Sequence, residues 1–296
     1  MKRGGFLQAG LLALVFILLG CCLWLAGSGL RDGNGAVSVE TVSLPGGRGT
    51  LYLPREAGGM VFSIYAGGEG EDHIHSDAAS AARSPAALIL GHGLDGARSL
   101  AVELSRRNVA VLLLTDQTDP AAAWDWLGAQ SFVIDDAMGL FASRGRAADG
   151  LTLAGKLVGT ERECAAVVLS GDEDTVTGAG ALSGRNLLVL TGKAPSRDAK
   201  IAFFGAEGAA ERGFSGFFGE GTARAVVPLG WNTPGFSRRS AMLQVIDWQG
   251  SSLGHASGLA DGDLIYDQII FCRCAAGVCL LLAAAVLLCR KKIWNM

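Results

Sequence analysis

Apolar residues concentrate in two long runs, one near each end of the chain, and a mixed region lies between them. The first run, residues 6–26, carries no charged side chain, and the second, residues 269–289, carries only Arg273, close to its outer end. Each run has about 21 residues, which at ~1.5 Å per residue is enough to cross the roughly 30 Å hydrocarbon core of a bilayer. The pattern predicts two transmembrane helices that flank a domain over residues 36–250.

Basic residues flank both apolar runs on the side of the chain termini. They are Lys2, Arg3, Arg290, Lys291 and Lys292. Because cytoplasmic flanks carry an excess of Lys and Arg, we expect a protein of the cell membrane with a cytoplasmic N-terminus (residues 1–5), a basic cytoplasmic tail (residues 290–296) and an extracytoplasmic central domain. Two alternatives for the first run stay open: a cleaved signal peptide, with small residues at 26–28, and a lipoprotein-like box at residues 18–21.

The central region alternates short apolar runs with segments of helical spacing. Strands are predicted at residues 37–44, 50–53, 60–65, 86–90, 109–114, 151–154, 165–169, 186–190 and 223–227. Helices are predicted at residues 97–107, from Pro120 through residues 132–144, and at 236–248. Residues 67–84, rich in Gly, Ala, Ser and acidic side chains, are predicted to form a flexible loop. Apolar strands that alternate with helices indicate a mostly parallel sheet covered by helices.

Charge and cysteine content exclude several classes of site. The net charge is −3 and the central region has no basic block, so the sequence indicates no nucleic-acid partner. Of the seven cysteines only Cys164 lies in the central domain, which therefore has no internal disulfide. No cofactor is predicted. His73 and His75, with Asp72 and Asp77 nearby, are weak candidates for metal ligands, and a solvated loop is the favoured interpretation.

The stretch from Ala86 to Thr115 combines a buried strand, a His-Gly turn at His92 and Gly93, a helix and a second buried strand. It resembles the α/β-hydrolase family, in which a His-Gly turn after such a strand helps to shape the oxyanion hole. The resemblance extends over most of the central region. It implies an α/β-hydrolase-like fold, which is a mostly parallel sheet with helices on both faces.

The family's nucleophile lies in a G-x-S-x-G turn between a strand and a helix. In residues 151–160 the two glycines match Gly155 and Gly159, and the nucleophile position holds Leu157. A leucine has no hydroxyl with which to attack a carbonyl, so the resemblance implies that the serine chemistry is lost. Ser99 and Ser170 also lie near strand ends or helix starts, and a turn or cap role is favoured for both.

The same resemblance implies that the base and acid positions of a catalytic triad also lack the residue types that catalysis needs. Asn232 matches the base, and an amide cannot act as a general base near neutral pH. No histidine lies between Gly93 and Leu253. The acid should come shortly after Gly192, and the nearest carboxylate, Asp198, lies a few residues late. No catalytic residue is therefore expected.

These features predict a membrane-anchored pseudoenzyme. Its hydrolase-fold domain would serve in binding or scaffolding at the membrane surface, with a ligand or protein partner that the sequence does not identify, while two helices contact the lipid bilayer. The alternative is an active serine-type hydrolase, an esterase or a peptidase, with a non-standard site. The fold alone does not decide between the two, because one fold serves many functions.

Overall fold

The computed structural model divides the chain into two units, residues 1–34 with 264–296 and residues 35–263. The residues that the structure describes are 2–30, 36–55, 62–65, 73–76, 83–91, 96–115, 118–182, 185–230, 236, 238–254, 259 and 263–294.

The helices are α1 (Lys2–Leu30), α2 (Ala97–Ser105), α3 (Pro120–Gly128), α4 (Ala147–Lys156), α5 (Glu173–Ala179), α6 (Arg197–Phe204), α7 (Glu207–Arg212), α8 (Arg239–Leu253) and α9 (Ile265–Trp294). The strands are β1 (Val37–Leu44), β2 (Gly47–Pro54), β3 (Phe62–Tyr65), β4 (His73–Ser76), β5 (Ser84–Leu90), β6 (Ala110–Leu114), β7 (Val133–Ala142), β8 (Ala166–Gly171), β9 (Asn186–Thr191), β10 (Phe214–Ser215) and β11 (Arg224–Pro228).

Helices α1 and α9 form the first unit and lie against each other through small residues. The stretches Leu11–Leu30 and Ile265–Cys289 are each long and apolar enough to span a membrane. A Cβ atom at Gly20 would lie 3.3 Å from the carbonyl oxygen of Ala276, and one at Gly27 would lie 3.2 Å from the Cβ of Cys272. Glycine thus lets the two backbones approach closely, as is common between membrane helices.

The second unit is built on a nine-stranded sheet in the order β1-β2-β6-β5-β7-β8-β9-β11-β10. Strands β6, β5, β7, β8, β9 and β11 run parallel to one another, whereas β1, β2 and β10 are joined to the sheet by antiparallel pairs. Every residue of β5, β6, β8 and β9 is buried. Strands that are apolar on both faces need cover on both sides, which predicts a sheet between two helical layers.

Helices cover both faces of this sheet. One face carries the main hydrophobic core, in which Trp124 of α3, Leu153 of α4 and Phe203 of α6 pack against alternate strand residues. The other face is covered by α2 and α8, whose buried residues include Leu100 and Val245. The predicted mixed α/β architecture is confirmed, and the carboxyl ends of the parallel strands meet at one edge of the sheet.

Two predicted elements are wrong, and both lie between α3 and β8. Residues 132–144, expected to continue a helix, form the central strand β7, and residues 151–154, expected to form a strand, lie inside helix α4. Strand β7 pairs directly with β8 through Gly139 and Ala166, so the sheet has no place for another strand between them. Short apolar runs do not distinguish a buried strand from the buried face of a helix.

The predicted flexible loop is partly replaced by a hairpin. Strand β4 pairs antiparallel with β3 as a separate two-stranded sheet, so the expectation of a loop is wrong at His73–Ser76. Residues 66–72 and 77–82 lie outside the described residues.

Candidate functional site

A serine occupies the strand-to-helix turn at the centre of the sheet. Strand β7 ends at Ala142, Ser143 follows, and a short 3₁₀ turn at Arg144–Arg146 leads into helix α4. The amide of Ser143 donates to the carbonyl of Leu90 at 2.9 Å, and its own carbonyl accepts from the amide of Arg146 at 2.8 Å. These bonds tie the end of β7 to β5 and fix the start of the turn.

Ser143-Arg144-Gly145 matches the second half of the G-x-S-x-G pattern, whereas Phe141 stands at the first glycine position. The family motif places its serine on a sharp and strained turn. Here Ser143 has φ −75° and ψ 166°, which is ordinary extended backbone. The prediction of a helix over residues 132–144 hides this serine. The signal in the sequence that points to it is a Ser-x-Gly directly after an apolar run.

The assignment of the nucleophile position to Leu157 is therefore wrong. Leu157 follows the last turn of helix α4, where its amide donates to the carbonyl of Leu153 at 3.1 Å, and its side chain packs in the main core. Gly155 lies within the same helix, and Gly159 follows it with φ +71°. The two glycines belong to a helix end and not to a strand-to-helix elbow.

Three buried hydroxyl groups lie at the carboxyl ends of neighbouring strands. They belong to Ser143 after β7, Ser170 in β8 and Thr191 in β9. None of the three hydroxyl oxygens has a hydrogen-bond partner among the described residues. Because Ala142 pairs with Leu169, Ser143 and Ser170 come next in register. A buried hydroxyl without a partner costs about 1–3 kcal/mol, so such groups concentrate where water or a ligand binds.

A cleft of about 290 Å³ opens at this edge of the sheet. It is lined by Arg144, Gly171, Asp172, Glu173, Thr191, Gly192, Lys193, Ala194 and Pro195. The lining residues come from the last residues of β8 and β9 and from the segments that follow β7, β8 and β9. Ligands of open α/β sheets bind outside the carboxyl ends of the strands, which is where this cleft lies.

The two carboxylates of the cleft are held in place by hydrogen bonds. Asp172 caps helix α5, and its Oδ1 accepts from the amide and the hydroxyl of Thr175, both at 3.3 Å. Glu173 accepts from the hydroxyl of Ser196, the residue that caps α6. Both residues are exposed at the cleft surface.

Several residues predicted for the site lie elsewhere or outside the described residues. Asp198 is the second residue of α6, exposed, and does not line the cleft. His92, Gly93 and Asn232 lie outside the described residues. The weak metal candidates His73 and His75 lie on β4, and their side chains are outside the described part of the structure. Within that part, no group of three or more His, Cys, Asp or Glu side chains could hold a metal ion.

Outside the cleft, the buried Cys164 thiol and the half-buried Arg224 guanidinium have shifted pKa values. Burial raises the pKa of the Cys164 thiol to about 12, so this thiol stays protonated near neutral pH and is a poor nucleophile. Burial also lowers the pKa of Arg224. The Arg224 guanidinium donates to the carbonyls of Phe203 and Leu182 and lies over the Phe203 ring. Both groups are structural and take no part in the cleft.

No model of a protein family matches the chain, and no curated protein matches it. Solved structures do match. A thermophilic esterase from the Planctomycetes species Thermogutta terrifontis, with butyrate bound, is similar over 76% of this chain and 97% of its own, with 12% sequence identity and a TM-score of 0.45. Esterase B from Lactobacillus rhamnosis is similar over 82% of this chain and 96% of its own, with 12% identity and a TM-score of 0.47.

A hypothetical protein from Pseudomonas aeruginosa is similar over 48% of this chain, with 18% identity and a TM-score of 0.31. This chain covers 46% of that protein, which is less than half of its length. The strand order of the central domain is a mixed, mostly parallel sheet with antiparallel strands at its start, in agreement with the architecture that the sequence predicts.

Proposed function

We propose that this protein is a membrane-anchored α/β-hydrolase-like protein that binds a ligand in the strand-end cleft and does not turn over esters or peptides. The observation that carries the proposal is the different exposure of two neighbouring residues. Ser143 is completely buried and does not line the cleft, whereas Arg144, the next residue, is exposed and does. The cleft therefore presents charged side chains to a ligand, and the serine hydroxyl lies beneath them.

The missing base supports the same proposal. A serine hydroxyl attacks a carbonyl only when a neighbouring group accepts its proton, and histidine usually does so. By the family resemblance the base position holds Asn232, and the chain has no histidine between Gly93 and Leu253. An amide in that position leaves Ser143 protonated and unreactive.

The topology of the protein is part of the proposal. The basic flanks at Lys2, Arg3 and residues 290–292 favour cytoplasmic termini and place the domain on the outer side of the membrane. A green fluorescent protein fused to the C-terminus should fluoresce, because this reporter folds in the cytoplasm. An alkaline phosphatase fused at the same point should be inactive. The opposite pair of results would reverse the orientation.

A second candidate function is a serine hydrolase that uses Ser143. The specific observation in its favour is the placement of a serine, followed by Gly145, at the turn between the central strand and its helix. This candidate requires that Ser143 become accessible and that a proton acceptor reach its hydroxyl.

A fluorophosphonate probe separates the two functions. Such probes form a covalent bond with activated serine nucleophiles, so we expect no labelling of the purified full-length protein. Ser143→Ala and Ser170→Ala form a matched pair, because both serines are buried and have hydroxyls without partners among the described residues. Labelling that Ser143→Ala removes and Ser170→Ala retains would overturn the binding proposal in favour of the hydrolase.

A further inference from the structure

Charged side chains of opposite sign alternate along the cleft. Arg144 follows β7, Asp172 and Glu173 follow β8, and Lys193 follows β9. These strands are direct neighbours in the sheet, so their ends are spaced by ~4.8 Å. Along this edge of the sheet, the residues with negative side chains therefore lie between two residues with positive ones.

Hydrogen bonds hold the two carboxylates of the cleft in place. Asp172 and Glu173 are held by Thr175 and Ser196, which belong to the starts of α5 and α6. Lys193 is exposed at the end of β9. The cleft thus contains two carboxylates held by hydrogen bonds, Asp172 and Glu173, and the cationic side chain of Lys193 at the end of the next strand.

Thr191 supplies an independent sign of a ligand. Its side chain lines the cleft and is only 2% exposed, yet its hydroxyl has no partner among the described residues. A buried hydroxyl of this kind is satisfied when a bound molecule or water donates to it or accepts from it. The hydroxyl lies at the end of the strand that also carries Lys193.

We propose that the cleft binds a small zwitterion, a molecule with one ammonium group and one phosphate or carboxylate group. The anionic group would contact Lys193 and accept from Thr191, and the ammonium group would contact Asp172 and Glu173. A neutral ester would make no charge-assisted contact with Lys193, Asp172 or Glu173, which disfavours its binding relative to a zwitterion. The volume of about 290 Å³ suits a small molecule. This inference rests on the proposed function of a ligand-binding cleft.

Three probes test the charge requirement: O-phosphoethanolamine carries both charges, ethyl phosphate only the negative one and ethanolamine only the positive one. Binding to the full-length protein in detergent is measured by calorimetry. We expect O-phosphoethanolamine to bind at least about ten-fold more tightly than either half, because each charged contact adds a charge-assisted hydrogen bond.

Variants assign the binding to the cleft. Lys193→Met and Asp172→Asn should each weaken O-phosphoethanolamine binding by about ten-fold or more. Asparagine retains the capping role of Asp172, so its effect reports the lost charge. Arg197→Met is the matched control, because Arg197 is an exposed cation that pairs with Glu207 outside the cleft lining. It should leave the affinity unchanged.

A comparison of nanodiscs separates a free zwitterion from a lipid headgroup. If phosphatidylethanolamine is the natural source, nanodiscs that contain it should compete with O-phosphoethanolamine, and nanodiscs of phosphatidylglycerol alone should not. Equal affinities in the two nanodiscs would indicate a soluble zwitterion.

The inference is overturned if ethyl phosphate binds as tightly as O-phosphoethanolamine, if none of the probes binds, or if the two cleft variants bind like wild type. These outcomes do not depend on the reactivity of Ser143. The proposed function fails separately, through fluorophosphonate labelling at Ser143.

Discussion

Arg107, two residues after the end of helix α2, donates from Nη1 to the carboxylate of Glu103 on that helix at 2.8 Å, and both side chains are buried. Arg106 donates to the same carboxylate at 3.1 Å, and Arg107 also donates from Nη2 to the carbonyl of Asp263 at 3.1 Å. The cluster therefore ties α2 to the last residue of the central domain. Removing one partner of a buried ion pair is strongly destabilising, because the remaining charge is left uncompensated.

Removing Arg107 should strongly destabilise the domain. Arg107→Met leaves the buried carboxylate of Glu103 with fewer partners, and we expect a loss of about 3 kcal/mol in the free energy of unfolding. Urea unfolding of the full-length protein in detergent, followed by circular dichroism, measures this loss. Arg197→Met removes an ion pair with Glu207 whose members are 68% and 67% exposed. It should cost less than about 1 kcal/mol. Equal effects of the two variants would contradict the role of burial.

Leu157→Ser should destabilise the protein without creating a reactive serine. The side chain of Leu157 is 9% exposed and belongs to the main core, so its loss should cost about 2 kcal/mol. Val158→Ser is the matched control, because Val158 is the next residue and is 47% exposed. Denaturant unfolding and fluorophosphonate labelling are measured on both. New labelling of Leu157→Ser would reinstate this position as the nucleophile site.

Cys164 should make the domain sensitive to alkaline pH. Its pKa is 9.0 in the unfolded reference state and about 12 in the folded protein, because burial disfavours the thiolate. Above pH 9 the unfolded chain loses a proton that the folded chain keeps, so stability falls as the pH rises toward 12, by at most on the order of 4 kcal/mol. Below pH 9 this contribution does not change.

Cys164→Ala isolates this effect. The variant loses a small buried side chain at every pH, and it should lose less additional stability than wild type between pH 9 and 11. The comparison uses unfolding free energies at matched ionic strength. Parallel pH profiles of the two proteins would show that the thiol does not titrate as expected.

A disulfide can report the contact between the two terminal helices. Because a Cβ at Gly27 would lie 3.2 Å from the Cβ of Cys272, mild oxidation of Gly27→Cys should join α1 to α9. After trypsin cleavage in the central domain, the two fragments should stay together on a non-reducing gel. Gly29→Cys is the control, because a Cβ there would have no atom within 4 Å. Wild type controls for the native cysteines. Linkage of Gly29→Cys as efficient as that of Gly27→Cys would contradict the helix contact.

The sequence by itself determined the features that depend on local composition. The two terminal runs are apolar over a length that only a membrane or a large core can bury, so their helices followed from residue type alone. Strand β1 is confirmed at its predicted bounds, residues 37–44, and strands β5, β6, β8, β9 and β11 are confirmed within about two residues, because runs of Val, Leu and Ile between turn residues favour buried strands.

Only the tertiary structure decided the identity of the central strand, and with it the serine turn. Residues 133–142 include Asp135, Asp136 and Gly139, which weaken any local preference for a strand. They become one because β5 and β8 offer hydrogen bonds on both sides. Leu151 and Leu153 lie in a helix and not in a strand, because both edges of β7 are already paired, one with β5 and the other with β8. Since the nucleophile motif is defined by the strand that precedes it, this long-range pairing moved the candidate residue from Leu157 to Ser143.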